Sequence, residues 1–264
     1  YRRQRQMCIR DSVEVYTIHG FIIEHIIQLF QQDLKDIMKS DFGIEVGNKG
    51  KISSQVEGLG ILHGIDKNEI FDFIRQINPL EFSDDEFGYS KKAMGEVEVN
   101  NDVFISSITE RTPRYMGLKI PSKIDERHVV PIKKYIWSIV RKLTHNEILY
   151  FGYRILESNP TALYAIRVKF PFIFVDEFQD TNPLQTLLIK LIGQKSTVIG
   201  VVGDVAQSIY SFQGAQPTDF KNFTIEGNRE LKEYVINGNR RSTENIVNPV
   251  SYTHLRAHET LANL

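Results

Sequence analysis

Four apolar residues, Phe172-Ile173-Phe174-Val175, run directly into two adjacent carboxylates, Asp176 and Glu177. An apolar run that ends in charge reads as a buried strand whose C-terminal end opens on a polar site. Thr197 to Val202 is a second continuous apolar run, of the kind shown by a parallel strand buried on both faces. Between the two, Pro183 to Ile192 reads as a helix with proline in its first turn. Strand, helix and strand in this order predict a parallel α/β sheet. Ligands of such sheets bind outside the C-terminal strand ends. Two carboxylates there suit phosphate chemistry: Asp176 for a Mg²⁺ held near ATP, and Glu177 for a base aligning the attacking water. A solvated strand end is the simpler alternative. It accounts for one carboxylate better than for two that are followed by Gln179 and Asp180.

Upstream, Val13 to Thr17 alternates in period two and predicts a short strand. Ile22, Ile23, Ile26, Ile27, Phe30, Leu34 and Ile37 then form one face of a helix from Phe21 to Met38. Residues 40–130 are richer in glycine and poorer in pattern, with a helix expected from Lys67 to Ile77. This stretch reads as an inserted, mainly helical subdomain. From Pro131 to Leu143 a helix carries Ile132, Ile136, Ile139, Val140 and Leu143 on one stripe. Thr144-His145-Asn146-Glu147 forms a capping box that opens another helix, ending at Ser158-Asn159-Pro160. A short helix, Ala162 to Val168, leads into the strand at Phe172.

The ends have a different character. Gln6-Met7-Cys8-Ile9-Arg10-Asp11 can be encoded CAG-ATG-TGT-ATA-AGA-GAC, whose reverse complement reads Val-Ser-Tyr-Thr-His-Leu, the sequence of Val250 to Leu255. Such inverted identity resembles translated adapter DNA. Residues 1–12 and 250–264 are therefore set aside from fold reasoning. The lone cysteine, Cys8, goes with them, leaving no disulfide framework. The excluded ends carry net charge +3, so the remaining chain is at −4 against −1 for the whole. A mildly acidic core gives no global argument for nucleic-acid binding, so any such contact is local. No apolar run approaches the ~18 residues of a membrane helix. A soluble, cytoplasmic protein is expected.

Four motifs fall in order along the chain. They are Thr17-Ile18-His19-Gly20-Phe21, Val175-Asp176-Glu177-Phe178-Gln179-Asp180-Thr181, the block Val202 to Ala215 containing Gln207-Ser208-Ile209-Tyr210-Ser211-Phe212, and Asn239-Arg240-Arg241-Ser242-Thr243. Together they resemble the UvrD-like superfamily 1 DNA helicases, over about Val13 to Pro249. The resemblance implies a RecA-like parallel sheet with flanking helices. The first motor domain would comprise residues 13–39 and 131–230 around the insertion at 40–130, and a second lobe would begin at 231–249. It also implies ATP and Mg²⁺ as cofactors, single-stranded DNA or a tailed duplex as partner, and 3′ to 5′ translocation. Protein partners stay unknown.

The resemblance carries roles to particular residues. Asp176 would hold Mg²⁺, Glu177 would activate water, and Gln207 would sense the γ-phosphate. Arg241 would reach that phosphate from the second lobe. Tyr210 and Phe212, two apart, would stack on unpaired bases, and Thr17, His19 and Phe21 would line the strand groove. Three departures matter. Arg240 stands where the family usually has an aromatic residue, leaving open which arginine faces the nucleotide. Gln213 replaces a common arginine. No G-x-x-x-x-G-K-[ST] occurs, and Gly47-Asn48-Lys49-Gly50-Lys51-Ile52-Ser53 has the wrong spacing. The expectation is a piece of a helicase that lacks activity by itself. Two alternatives stay open: one component of a helicase–nuclease or defence complex, and an ATPase-inactive DNA-binding protein.

Overall fold

A computed structural model describes residues 13–48, 50–52, 54–55, 98–110, 118–119, 126–204, 220, 222–227 and 231–235. The expected helix Lys67 to Ile77 lies outside them. The chain is mixed helix and strand, built around one helix. That helix, α5 (His145–Ser158), opens with the expected capping box: Thr144 Oγ1 accepts from Glu147 N, while the Glu147 carboxylate accepts from Thr144 N. Ile148, Leu149, Tyr150, Phe151, Tyr153, Ile155 and Leu156 are all buried. A helix with this many buried apolar residues must be covered on most of its surface. Here α1 (Ile18–Ile22), α2 (Gln31–Phe42), α6 (Pro160–Lys169) and α7 (Pro183–Gly193) supply the cover.

The long helix expected from Phe21 to Met38 is divided. After α1 comes a π-helical turn, Ile23–Ile27, then a break where Phe30 leaves helical geometry, then α2. A π turn inserts one extra residue, which apolar periodicity tolerates without signalling it. Leu29, at the break, is exposed, while Ile22, Ile26, Leu34 and Ile37 keep their buried face. Val13 to Thr17, expected as a strand, pairs with no strand among the described residues. Thr17 instead caps α1 by accepting from Gly20 N at 3.0 Å.

A second π turn corrects the helix expected from Pro131 to Leu143. Helix α4 (Glu126–Tyr135) passes into Ile136–Val140 and stops at Arg141, whose φ is 58°. The widened turn swings Ile139 outward, leaving it 56% exposed. Leu143 belongs to β4 (Lys142–Leu143), which pairs in parallel with β1 (Ser54–Gln55). The chain therefore comes back at residue 142 beside the point it left at residue 55. Between these, β2 (Glu98–Val99) and β3 (Leu118–Lys119) pair antiparallel around α3 (Asn101–Thr109).

Side chains fasten this junction. Gln31 Nε2 donates to Ile52 O and Gln31 Oε1 accepts from Ile52 N, each at 2.7 Å. The Arg141 guanidinium donates to Gly50 O at 2.8 Å and Gly47 O at 3.3 Å. Gly47 and Gly50 thus turn their carbonyls toward a cation. A phosphate loop presents converging N–H groups to its ligand.

The parallel sheet lies where expected. β5 (Phe172–Val175) and β6 (Val198–Val201) pair in register, from Phe172 opposite Val198 to Val175 opposite Val201. Helix α7 connects them, with Asn182 and Gln185 capping its start reciprocally. Buried Arg167, from α6, donates to the carbonyls of Leu191 and Ile192 at its end. A cation at a helix C-terminus satisfies orphan carbonyls and complements the dipole. One expectation fails: the strands are not buried on both faces. Phe172 is 63% and Phe174 73% exposed, and Val198 and Val202 are exposed beside them. A run of apolar residues shows that a strand can be covered twice, not that it is.

Candidate functional site

The site lies at the C-terminal ends of β5 and β6. The parallel register sets Val175 beside Val201, so the next residues of both strands emerge side by side. Val202 N donates to Val175 O, and Phe178 N donates to Val202 O, each at 2.9 Å. The acidic segment and the start of the next motif are therefore sewn together by the backbone.

Asp176 and Glu177 are exposed at this edge. Asp176 Oδ1 accepts from Glu177 N at 3.0 Å. Glu177 sits in the left-handed region, φ 52° and ψ 41°. For a non-glycine residue this costs on the order of 1–3 kcal/mol and persists where surroundings enforce it. The conformation turns the chain sharply from strand into the short 3₁₀ turn Phe178–Asp180. It holds the Glu177 carboxylate against Gln179, whose Nε2 donates to Glu177 Oε2 at 2.8 Å. Below, Phe178 packs with Ile189 and Phe223 in a small apolar cluster. Asp180 is raised above the ordinary carboxylate range, by burial first and by the Glu177 charge second.

Among the described residues no group of three or more His, Cys, Asp or Glu side chains could hold a metal. A Mg²⁺ needs less from protein: one or two carboxylates, with water and phosphate oxygens completing its shell. Asp176 fits that demand. It is exposed at the strand end, and its only described hydrogen bond occupies Oδ1.

The Thr17 motif adjoins this site through Ile18, which packs against both the main core and the Phe178 cluster. Thr17 is exposed. Its oxygen accepts the cap bond from Gly20 N, which leaves the hydroxyl able to donate outward. Phe21 is half-buried in an aromatic cluster, its ring 5.3 Å from His25 and 5.1 Å from Phe170. His19 meets the His145 ring edge-on at 4.8 Å, and its Nε2 is buried without a hydrogen-bond partner.

Burial, then the neighbouring His145, lowers His19 to about 4. The imidazole is therefore neutral at pH 7. A folded-state pKa below the ordinary 6.5 means that the unfolded chain binds the proton more tightly. Stability is then fully present above about pH 6.5 and lost as pH falls toward 4. The expected loss is on the order of 3 kcal/mol. His19→Gln should flatten that part of the curve. Urea midpoints across pH 4–7 check it, and an unchanged slope in the variant would assign the acid sensitivity elsewhere.

Gln207, Tyr210, Phe212, Arg240 and Arg241 lie outside the described residues. Gln179 was missed by sequence reasoning, which named it within the acidic motif and gave it no role. Its side chain is buried, and its Oε1 accepts from Asp204 N at 3.0 Å while its Nε2 serves Glu177.

The family model of the UvrD/REP helicase N-terminal domain matches residues 6–226. A similar protein is an ATP-dependent helicase/nuclease component of Alkaliphilus oremlandii, 29% identical over 64% of this chain and 15% of its own length. DNA helicase II of Haemophilus influenzae is 40% identical over 29% of this chain and 11% of its own. A probable DNA helicase II homolog of Mycoplasma capricolum is 25% identical over 76% of this chain and 28% of its own. The chain thus spans less than a third of each of these relatives.

Proposed function

Because the chain belongs to the UvrD/REP helicase family, we propose that it is part of an ATP-dependent DNA helicase or translocase that couples Mg-ATP hydrolysis to 3′ to 5′ movement on single-stranded DNA. The observation that carries this reading is the paired strand end: Asp176 and Glu177 on β5, bonded through backbone to the segment after β6. Asp176 would hold Mg²⁺, which when bound neutralises phosphate charge. Glu177 offers Oε1 to a water and takes its proton, while Oε2 is held by Gln179. Gln207 would bond the γ-phosphate and that water. Arg241, or its neighbour Arg240, would stabilise charge from the second lobe.

On the DNA side, Thr17 would donate to a phosphate and His19 would line the groove as a neutral ring. Phe21 would line the groove beside them, and Tyr210 and Phe212 would offer aromatic faces to unpaired bases. The return of β4 beside β1 supports residues 40–130 as an insertion in the first motor domain. The match to a helicase/nuclease component supports a second reading, in which the same motor serves a helicase–nuclease complex.

The test uses protein made from the complete open reading frame. Glu177→Gln should lower single-strand-stimulated Mg-ATP hydrolysis about 10²- to 10⁴-fold, the usual contribution of a positioned base. It should leave DNA binding intact. DNA binding with no hydrolysis in either protein would favour an ATPase-inactive binding role, and an unchanged rate would remove Glu177 from the chemistry.

A further inference from the structure

We infer that Gln179 is a positioning residue: it links the Glu177 carboxylate to the backbone of the segment after β6, so that movement of that segment moves the carboxylate. Two bonds make the link. Nε2 donates to Glu177 Oε2 at 2.8 Å, and Oε1 accepts from Asp204 N at 3.0 Å. One primary amide thereby uses a donor end and an acceptor end on two different strand exits. No carboxylate, hydroxyl or lysine at this position could serve both partners in the same way.

The surroundings leave the amide little freedom. Gln179 is 1% exposed, so losing either bond leaves a buried polar group without water. Gly203 lies against it: a Cβ there would stand 2.4 Å from Gln179 Oε1 and 3.3 Å from its backbone N. The glycine is what lets the second segment approach so closely. Glu177 in turn is held in left-handed backbone, a conformation that needs external restraint. The restraint comes from Gln179 on the side chain and from the Phe178 N to Val202 O bond on the main chain.

A shift of residues 203–204 away from the sheet stretches the Oε1 bond and draws the amide from Glu177, freeing Oε2. A shift toward the sheet holds the carboxylate at one orientation. The catalytic meaning of this link rests on the proposed role of Glu177, but its existence does not, and the two can be tested apart.

The chain itself serves, with no nucleotide. In Gln179→Met the side chain keeps its length and loses both bonds, so the Asp204 amide should exchange with solvent about tenfold faster, the worth of one net hydrogen bond. In Gly203→Ala the added methyl displaces Oε1, and the ¹³C signal of the Glu177 side-chain carboxyl should move, although Glu177 is two residues beyond the altered contact. A residue that merely fills space would leave that signal in place. Exchanging the groups, E177Q together with Q179E, restores a donor–acceptor pair and an acceptor for Asp204 N, and should recover the protection lost in Gln179→Met. Unchanged Asp204 exchange in Gln179→Met, an unmoved Glu177 signal in Gly203→Ala, or no recovery in the exchanged pair would each overturn the link. These results stand whatever the hydrolysis assay of Glu177→Gln returns.

Discussion

Glu147→Ala is expected to destabilise the fold by roughly 3–5 kcal/mol, the cost of leaving a buried charge without its partner. Glu147 and Lys133 are both fully buried, with Lys133 Nζ 2.5 Å from Glu147 Oε1. Glu147 Oε2 accepts from Thr144 N at 2.9 Å and from Trp137 Nε1 at 3.2 Å. One carboxylate therefore closes the cap of α5, neutralises a lysine from α4 and satisfies the indole of a wholly buried tryptophan. Its removal strands all three. Lys133→Met combined with Glu147→Gln should recover most of the loss, because an isosteric neutral pair removes the desolvation cost of both ions. Guanidinium unfolding measures each variant. A loss below about 1 kcal/mol for Glu147→Ala would mean that water reaches the pair, as it does for exposed ion pairs.

A comparable loss, about 2–4 kcal/mol, is expected for Asp41→Ala at neutral pH. Asp41 Oδ2 accepts from Tyr150 Oη at 2.7 Å and from Arg154 Nε at 3.0 Å, and Oδ1 accepts from Arg154 Nη2 at 3.2 Å. These residues lie up to 113 positions apart, so the network joins the end of α2 to the central helix. Burial alone would push the Asp41 carboxyl up. The bonds from Arg154 and Tyr150 outweigh it and hold the group below its ordinary value. A depressed carboxylate contributes stability that is present above the unfolded pKa and lost as pH falls through the folded one. Below about pH 4 the native chain should therefore approach the stability of Asp41→Ala. Denaturation curves of the two proteins that stay parallel down to pH 2 would show that the network contributes no linkage.

These two predictions divide the chain by what is local. The Thr144–Glu147 capping box was readable because both partners sit within four residues, and a cap is a local reaction to orphan N–H groups. That Glu147 also neutralises Lys133 was not readable, since the pair depends on how α4 meets α5. The two π turns escaped for a related reason: apolar spacing averages over turns and absorbs one added residue. Ile139 thus pointed inward by pattern and outward in the fold. The apolar runs at 172–175 and 197–202 announced paired strands, yet said nothing of cover on their second face.

The candidate site divides in the same way. Asp176 and Glu177 stood out because charge directly after an apolar strand is a local pattern with few explanations. Sequence by itself therefore determined the strand–helix–strand unit, its parallel sense, the cap of α5, the proline that opens α7, and which carboxylates follow the β5 strand. The tertiary structure alone decided that Gln179 reaches Asp204 across 25 residues, that Arg141 faces carbonyls at Gly47 and Gly50, and that His19 is a neutral ring against His145. Periodicity and capping follow from a few neighbouring dihedrals and recur wherever the same residues do. A contact between distant segments exists only after packing has brought them together, and no spacing along the chain encodes it.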